Sequence, residues 1–452
     1  MEKPKIGITE KIGFSLFSIS VNIVTQFVNT FILFFYTDVF GISPALAGGI
    51  ISFGLIWDGV NDPLIASYAD NHRFRNGERV RPYQLYTSIP LAIVTVLMFT
   101  TFPFSQSAKA VYAVAAYVVF YTLTTFLRLP AYAMPALATP DIRDRLSINT
   151  FVSGGASLGG VLASLMCWPL VRGFAGLDSS GNMINPQAGF IFGSAVVGAI
   201  IIFGSLFSYF TTKERIRPEV DLSQKISIFK SFSILIHNYN WRWNTLFSTL
   251  YFINNVLLTT TLVYYCQYVI ADPGKTTLIM AMFALGSLIA LPFVKKVDLR
   301  LGRRKTMMIG AGFTLIAKIP FLLAPRVAAA MMVYALIMGI SVAINIVVFS
   351  TTRAEVSDII EKQLGRRIDS MVTNLMGFIN KCGTSLTTLV IGIVLEVSGY
   401  VGTQTVQPPQ VSTAIIAIMG WAALAMAALM VFCASKITIE KEVAKMKEES
   451  HV

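Results

Sequence analysis

The chain has 452 residues, 54% of them hydrophobic and only 13% charged. A soluble domain of this length carries about twice that charged fraction, so the composition excludes a soluble fold and points to a helical membrane protein. The net charge of +12 does not indicate a nucleic-acid partner, because the basic residues gather in short links between apolar runs, where they act as orientation signals in the lipid bilayer.

A helical crossing needs about 20 apolar residues. The sequence predicts twelve such segments, centred near Val24, Trp57, Val94, Val119, Gly160, Gly198, Val256, Ala284, Gly312, Gly339, Leu389 and Ala422. Alternating ten-residue strands, the mark of a barrel, are not seen. The opening MEKPKIGITEK leads into the first apolar run without a small-residue cleavage site, so a first spanning helix is expected there and not a removable signal. The four cysteines, Cys167, Cys266, Cys382 and Cys433, fall inside apolar runs without CxxC spacing and read as small buried hydrophobes.

In the first segment Asn22, Gln26 and Asn29 share one helix face. Such a stripe either lines a wet cavity and meets substrate hydroxyls or holds helices together. The second segment, WDGVNDP, carries Asp58 and Asp62 at i and i+4 with Asn61 between them. Ionisable groups at membrane depth are costly. Two carboxylates on one face repel unless one holds a proton or a cation sits between them. A coupling-cation site is therefore favoured over a structural pair bridged to a basic residue.

The fourth segment, YTLTTFLRLPAYAMP, holds Thr124, Thr125 and Arg128. Arginine keeps its charge, so Arg128 must meet an anion, either the acidic pair or the substrate. The eleventh segment, NLMGFINKCGTS, places Lys381 beside Asn380, with Asn374 two turns earlier. Lys381 can serve as counter-charge to the acids when the cation leaves. Lys318 lies too near the centre of the ninth segment for snorkelling, and the sequence offers it no partner.

Links after the even-numbered segments are rich in basic residues, among them Arg73, Arg75, Arg79 and Arg81, then Arg300, Arg303, Arg304 and Lys305, then Arg353, Lys362, Arg366 and Arg367. This asymmetry, with an even number of crossings, expects both termini in the cytoplasm and the chain in the cell (inner) membrane. The polar stretch from Thr211 to Phe232 divides the segments six and six. The expected organisation is an N-terminal half over 1–212, a central cytoplasmic loop over 213–238, a C-terminal half over 239–436 and a cytoplasmic tail over 437–452. The links ADNHRFRNGERVRPYQL and KKVDLRLGRRKTM each put a basic cluster and a glycine at the same place in their half, which suggests two repeated halves. The expected fold is an all-α membrane protein of twelve transmembrane helices in two six-helix halves, the layout of the major facilitator transporters. Glu355, Asp358 and Glu361 either latch the basic cytoplasmic loops or are solvated loop charges.

The order YTDVFGIS (Tyr36 to Ser43), WDGVNDP and RNGERVRPY (Arg75 to Tyr83), with the LPAY turn of the fourth segment and INKCG of the eleventh, resembles the glycoside–pentoside–hexuronide:cation symporters, the melibiose permease family. The resemblance implies a twelve-helix transporter that couples sugar uptake to Na⁺, Li⁺ or H⁺, with no cofactor beyond that ion. It implies that Asp58 and Asp62 bind the cation, Na⁺ if sodium is the coupling ion, with Asn61 and Thr125 at or near the site. Lys381 matches a family lysine that interacts with the acids, Trp57 an aromatic of the motif, and Tyr132 an aromatic near the sugar. The chain departs from the family at three places: Asn22 and Arg128 stand where sugar-binding aspartates are expected, and Thr150 where an arginine is expected. Candidate substrate ligands are thus Asn22, Gln26, Trp57, Arg128, Tyr132, Thr150 and Lys381.

Losing two acids and gaining a guanidinium makes the pocket less negative. That favours a sugar acid, such as a hexuronide, held by Arg128 through paired hydrogen bonds. The other reading has Arg128 replace the missing arginine and pair with the acids. A rival cargo is another amphipathic or anionic solute such as a lysolipid. A membrane enzyme is disfavoured: His72, His237 and His451 lie in loops or the tail, and neither HExxH nor GxSxG occurs. A channel is disfavoured for want of a filter or charged ring.

Overall fold

The computed structural model describes residues 6–179, 181–216, 228–364, 369–402, 404, 406–440 and 442. Arg366, Arg367, His451, the Glu361 side chain and the central link over 217–227 lie outside the described residues. Among the described residues the regular structure is helical: α1 (Ile8–Phe34), α2 (Pro44–Asn71), α3 (Tyr83–Met98), α4 (Gln106–Ala138), α5 (Ile142–Ala175), α6 (Pro186–Thr211), α7 (Ile228–His237), α8 (Tyr239–Tyr268), α9 (Lys275–Leu301), α10 (Arg303–Ile316), α11 (Lys318–Leu323), α12 (Ala328–Leu364), α13 (Asp369–Val397), α14 (Pro409–Ile416) and α15 (Ala423–Lys436). Wide π-type turns extend α1 over Phe35–Val39 and join α14 to α15 over Ala417–Ala422.

Among the described residues ten helical stretches are long and apolar enough to cross a membrane, with α10–α11 and α14–α15 each counting as one. Two further helices, α2 and α3, occupy the second and third places in chain order. The first is diluted by Asp58, Asn61 and Asp62, and the second is only 16 residues long. The set is consistent with twelve crossings. Helices suit lipid because every interior backbone group is satisfied within its own segment. The break between α10 and α11 follows from Pro320, which has no N–H to give to the carbonyl of Ile316.

The chain forms two compact units: Met1–Leu222 with Val401–Thr405, and Ser223–Tyr400 with Val406–Val452. In the first, α1 packs on α5 and α6, and α2 packs on α4. Small residues allow the close approach that lipid-embedded helices need. A Cβ at Gly155 or Gly159 of α5 would strike the backbone of Ser15 or Ile19 of α1, and one at Gly204 of α6 would strike Ser20. Large aromatics fill the remaining space, with Phe31 stacked on the fully buried Trp168 at 5.4 Å between centroids.

In the second unit α9 and α12 cross through reciprocal glycines. Gly286 sits under Leu336 O, and Gly339 under Phe283 O. A buried network of Thr314, Ser341 and Asn345 joins α10 to α12. The Asn345 amide donates to Ser341 Oγ at 2.9 Å, and Ser341 Oγ donates to the Gly310 carbonyl at 2.9 Å.

The two units share a device at the link after their second long helix. In the first unit Glu214, just beyond α6, accepts the backbone N–H groups of Arg79 (2.9 Å) and Val80 (3.1 Å). In the second, Glu440, just beyond α15, lies against Gly302 and accepts the N–H of Arg304 at 3.4 Å. Both links turn through a left-handed glycine, Gly77 (φ 78°) and Gly302 (φ 84°). The exit segments also tie back to the first long helix of their unit. Arg215 pairs with Glu10 at 2.8 Å, and Asn240 accepts the N–H of Thr438 while donating to Glu442. The repeat read from basic clusters thus has a structural counterpart in the straps that close each link. Glu355, a candidate latch, pairs with Arg303 of its own unit at 2.6 Å, and Arg303 also pairs with Asp298.

Candidate cation and substrate site

Three residues of α2 spaced four apart, Gly54, Asp58 and Asp62, lie on one face, and Tyr117, Tyr121 and Thr125 of α4 repeat that spacing. The two rows meet in register. Gly54 sits beneath the Tyr117 ring, where any Cβ would collide with Cδ1. Two turns along, the Thr125 hydroxyl lies 2.9 Å from Asp62 Oδ1 and 3.2 Å from Asp58 Oδ1. A hydroxyl has one proton, so it donates to one carboxylate at a time and leaves its lone pairs for another partner. Trp57 donates from Nε1 to Thr122 Oγ1 at 3.1 Å and clamps the same pair of helices.

Asp58 and Asn61 are buried, while Asp62 is half-buried. The Asn61 Nδ2 and Thr124 Oγ1 atoms are buried without a hydrogen-bond partner among the described residues. Such atoms are costly to leave unmet; Nδ2 is a donor that calls for an acceptor, so only the Asn61 amide oxygen could serve a cation. Pro63, next to Asp62, has no N–H to close the helical ladder on the carbonyl of Gly59, which is left free to accept elsewhere. Carboxylates, a hydroxyl and an amide oxygen are hard donors, the set a small alkali cation prefers, and the carboxylates can equally hold a proton.

Around this centre the substrate candidates divide. Arg128, one turn past Thr125, donates from Nη2 to Thr25 Oγ1 of α1 at 3.0 Å. Asn22 and Gln26 bond within their own helix, to Ser18 O at 2.9 Å and Thr30 Oγ1 at 3.2 Å. Their neighbour Asn29 accepts from Tyr121 at 3.3 Å and so does join α1 to α4. Tyr132 is 78% exposed. Thr150 is exposed and donates to Leu146 O of its own helix, apart from the group around Arg128. Lys381 is half-buried on α13 of the second unit.

The sequence reading did not single out Thr25 or Thr122, the neutral partners of Arg128 and Trp57. Thr122 precedes Thr125 by one helical turn, a spacing that could have drawn notice. Thr25 carries no such signal, because its role depends on how α1 meets α4. Lys318 gains the partner the sequence could not supply: its fully buried Nζ donates to Tyr334 Oη at 2.6 Å and lies 4.4 Å from that ring's centroid.

Residues 13–441 match the family described as MFS/sugar transport protein. The relative named for glycoside/cation symport, YagG of Escherichia coli (strain K12), is 29% identical over 422 residues, covering 91% of this chain and 87% of that one. A glucuronide carrier protein homolog of the same organism is 24% identical over 407 residues, covering 88% and 86%. Among solved structures, a D-xylose–proton symporter superposes with a TM-score of 0.66 at 13% identity, covering 93% of this chain and 96% of the other. That likeness is one of fold.

Proposed function

The chain belongs to the glycoside–pentoside–hexuronide:cation symporters of the major facilitator superfamily, and from that premise we propose which of its residues couple cation to sugar and what kind of sugar it takes. It is an integral, multi-pass membrane transporter that couples a sugar to a cation, and not an enzyme. In our reading both termini are cytoplasmic and the membrane is the cell's inner membrane.

Asp58, Asp62 and Thr125 hold the coupling cation, with Asn61 completing the set. The observation that carries this is the Thr125 hydroxyl within hydrogen-bond reach of both carboxylates. With the site filled, the mutual repulsion of the carboxylates is cancelled. With it empty, the repulsion returns and the local packing must relieve it. Filling the site thus changes the relative stability of the conformations that alternate in transport. By linkage the cation then raises sugar affinity by the same factor as sugar raises cation affinity.

The sugar we favour carries an anionic group held by Arg128. Arg128 donates to the Thr25 hydroxyl on the helix that also presents Asn22, Gln26 and Asn29, and it feels the Asp58 and Asp62 carboxylates electrostatically. A guanidinium keeps its charge, and a carboxylate is a better partner for it than a hydroxyl. The relative named as a glucuronide carrier homolog fits this choice, while the one named for glycosides fits a neutral sugar equally. Uptake by proteoliposomes of methyl β-glucuronide against methyl β-glucoside, with and without a Na⁺ gradient and with and without a pH gradient, tests both parts. The proposal expects gradient-driven uptake with preference for the glucuronide. Preference for the neutral sugar rejects the anionic assignment and leaves the cation site to its own test.

A further inference from the structure

The second unit contains a buried polar junction that the cation site does not use. Asn380 of α13 is 8% exposed, and its Oδ1 lies 2.9 Å from Ser248 Oγ and 2.8 Å from Thr249 Oγ1, each hydroxyl sharing its one proton between that oxygen and the Thr245 carbonyl. Both donors sit on α8, at consecutive positions about 100° apart around that helix. One turn beyond Asn380, Gly383 lets α13 close on α8, because any Cβ there would collide with Thr249 Cγ2. Two directional bonds to one oxygen, with a steric stop a turn away, fix the rotation of α13 about its axis as well as its distance. Lys381 is the next residue and half-buried. Its direction follows from the Asn380 anchor, since neighbouring side chains on a helix keep a fixed angle.

We propose that Asn380, gripped by Ser248 and Thr249, is the positioning residue that sets the direction of Lys381 on α13 and thereby its part in cation coupling. The coupling role of Lys381 is the sequence expectation that it serves as counter-charge to the acids, and it rests on the cation-coupled function proposed above. The directional claim rests on the junction alone. A lysine on a four-carbon stem sweeps a wide arc, so a rotation of its helix decides whether its ammonium faces polar or apolar surroundings. Amides and hydroxyls suit this task in lipid because their bonds are directional where apolar packing is not.

The test uses two readouts on the full chain. In a Cys382→Ala background, Lys381→Cys is labelled with a membrane-impermeant cationic thiol reagent. Adding Ser248→Ala with Thr249→Val, which removes both hydroxyls and keeps the helices apolar, is expected to change the labelling rate several-fold. Ser248→Ala with Thr249→Ser, which restores one donor, is expected to recover most of the original rate. Equal rates in all three overturn the directional claim. The second readout compares Na⁺- or H⁺-gradient-driven uptake of methyl β-glucuronide with its exchange in the absence of a gradient. Removing the two hydroxyls should depress gradient-driven uptake several-fold more than exchange, and should add nothing in a Lys381→Ala background. An additive loss there shows ordinary packing damage and overturns the positioning role. If Lys381→Ala alone spares gradient-driven uptake, the coupling reading of Lys381 fails, and the labelling rates still decide the directional claim.

Discussion

The hydroxyl of Thr125 lies 2.9 Å from Asp62 Oδ1, and the same oxygen is 3.2 Å from Asp58 Oδ1. One neutral hydroxyl thus stands between two carboxylates, donating to one of them at a time. Removing it should weaken cation binding without removing charge. Thr125→Val keeps the shape and deletes the hydroxyl. A hydrogen bond to a charged group contributes about 1.5–3 kcal/mol, so the half-saturating cation concentration for uptake should rise by roughly 10-fold or more. Thr125→Ser should stay near the original value. Uptake against cation concentration at fixed sugar measures this, and a Val variant with unchanged half-saturation removes Thr125 from the site.

Arg128 should discriminate sugars by charge. Arg128→Gln is expected to reduce uptake of a glucuronide far more than uptake of a neutral glycoside. Arg128→Lys should rescue only part of the loss, because an ammonium cannot grip a carboxylate through two parallel N–H bonds. Competition between labelled glucuronide and unlabelled neutral glycoside gives the ratio directly. Equal losses for both sugars point to a structural role for Arg128, in which its bond to Thr25 ties α4 to α1.

Lys318 should cost stability. Its Nζ is fully buried with a phenol hydroxyl and a thioether as its hydrogen-bonding partners, and a buried amine or ammonium so placed forfeits most of its hydration. Lys318→Met keeps the unbranched apolar stem and removes the polar head. The variant is expected to be more stable by about 1–3 kcal/mol, read as a higher midpoint of thermal unfolding in detergent. Tyr334→Phe, which strips Lys318 of its hydroxyl partner, should move the midpoint the other way. A Met variant with a lowered midpoint would show that Lys318 contributes a favourable interaction.

The two exit straps should differ in strength. Glu214 accepts backbone N–H groups at 2.9 and 3.1 Å, whereas Glu440 accepts one at 3.4 Å. Glu214→Ala leaves those buried donors unmet and should lower stability by about 1–3 kcal/mol. Glu440→Ala should lower it by less. Thermal unfolding of the two variants ranks them, and an equal effect would mean that the backbone bonds are not what the straps supply.

Much of this was legible in the sequence, for physical reasons that differ from residue to residue. Asp58 and Asp62 stand out because charge in an apolar run is rare and costly. Their spacing puts them on one face without any knowledge of packing. The division into crossings follows from hydropathy, whereas the α10–α11 break was not anticipated, although Pro320 marks it. Thr125 drew attention as a polar residue in the fourth segment, but its place beside the acids came only through family resemblance. The seat of Tyr117 on Gly54 was silent, because glycine is common in membrane helices and nothing local marks the one that admits a ring. Thr25, Thr249 and Glu214 were silent for a related reason. Each matters through a partner far away in sequence: Thr25 meets Arg128, Thr249 meets Asn380, and Glu214 meets the 79–80 backbone. Such pairings are set by how helices dock, which no local pattern encodes.

The cation assignment is tested most directly by separating coupling from transport in the Asp58→Cys and Asp62→Cys variants. Sugar exchange across proteoliposomes at equal ion concentrations reports whether the carrier still moves substrate. Accumulation driven by an imposed cation gradient reports whether that movement is still coupled. The expected result is exchange that persists in at least one variant while accumulation falls to the level set by the sugar gradient alone. Accumulation that still follows the cation gradient in both variants would place the coupling ion elsewhere and contradict the account.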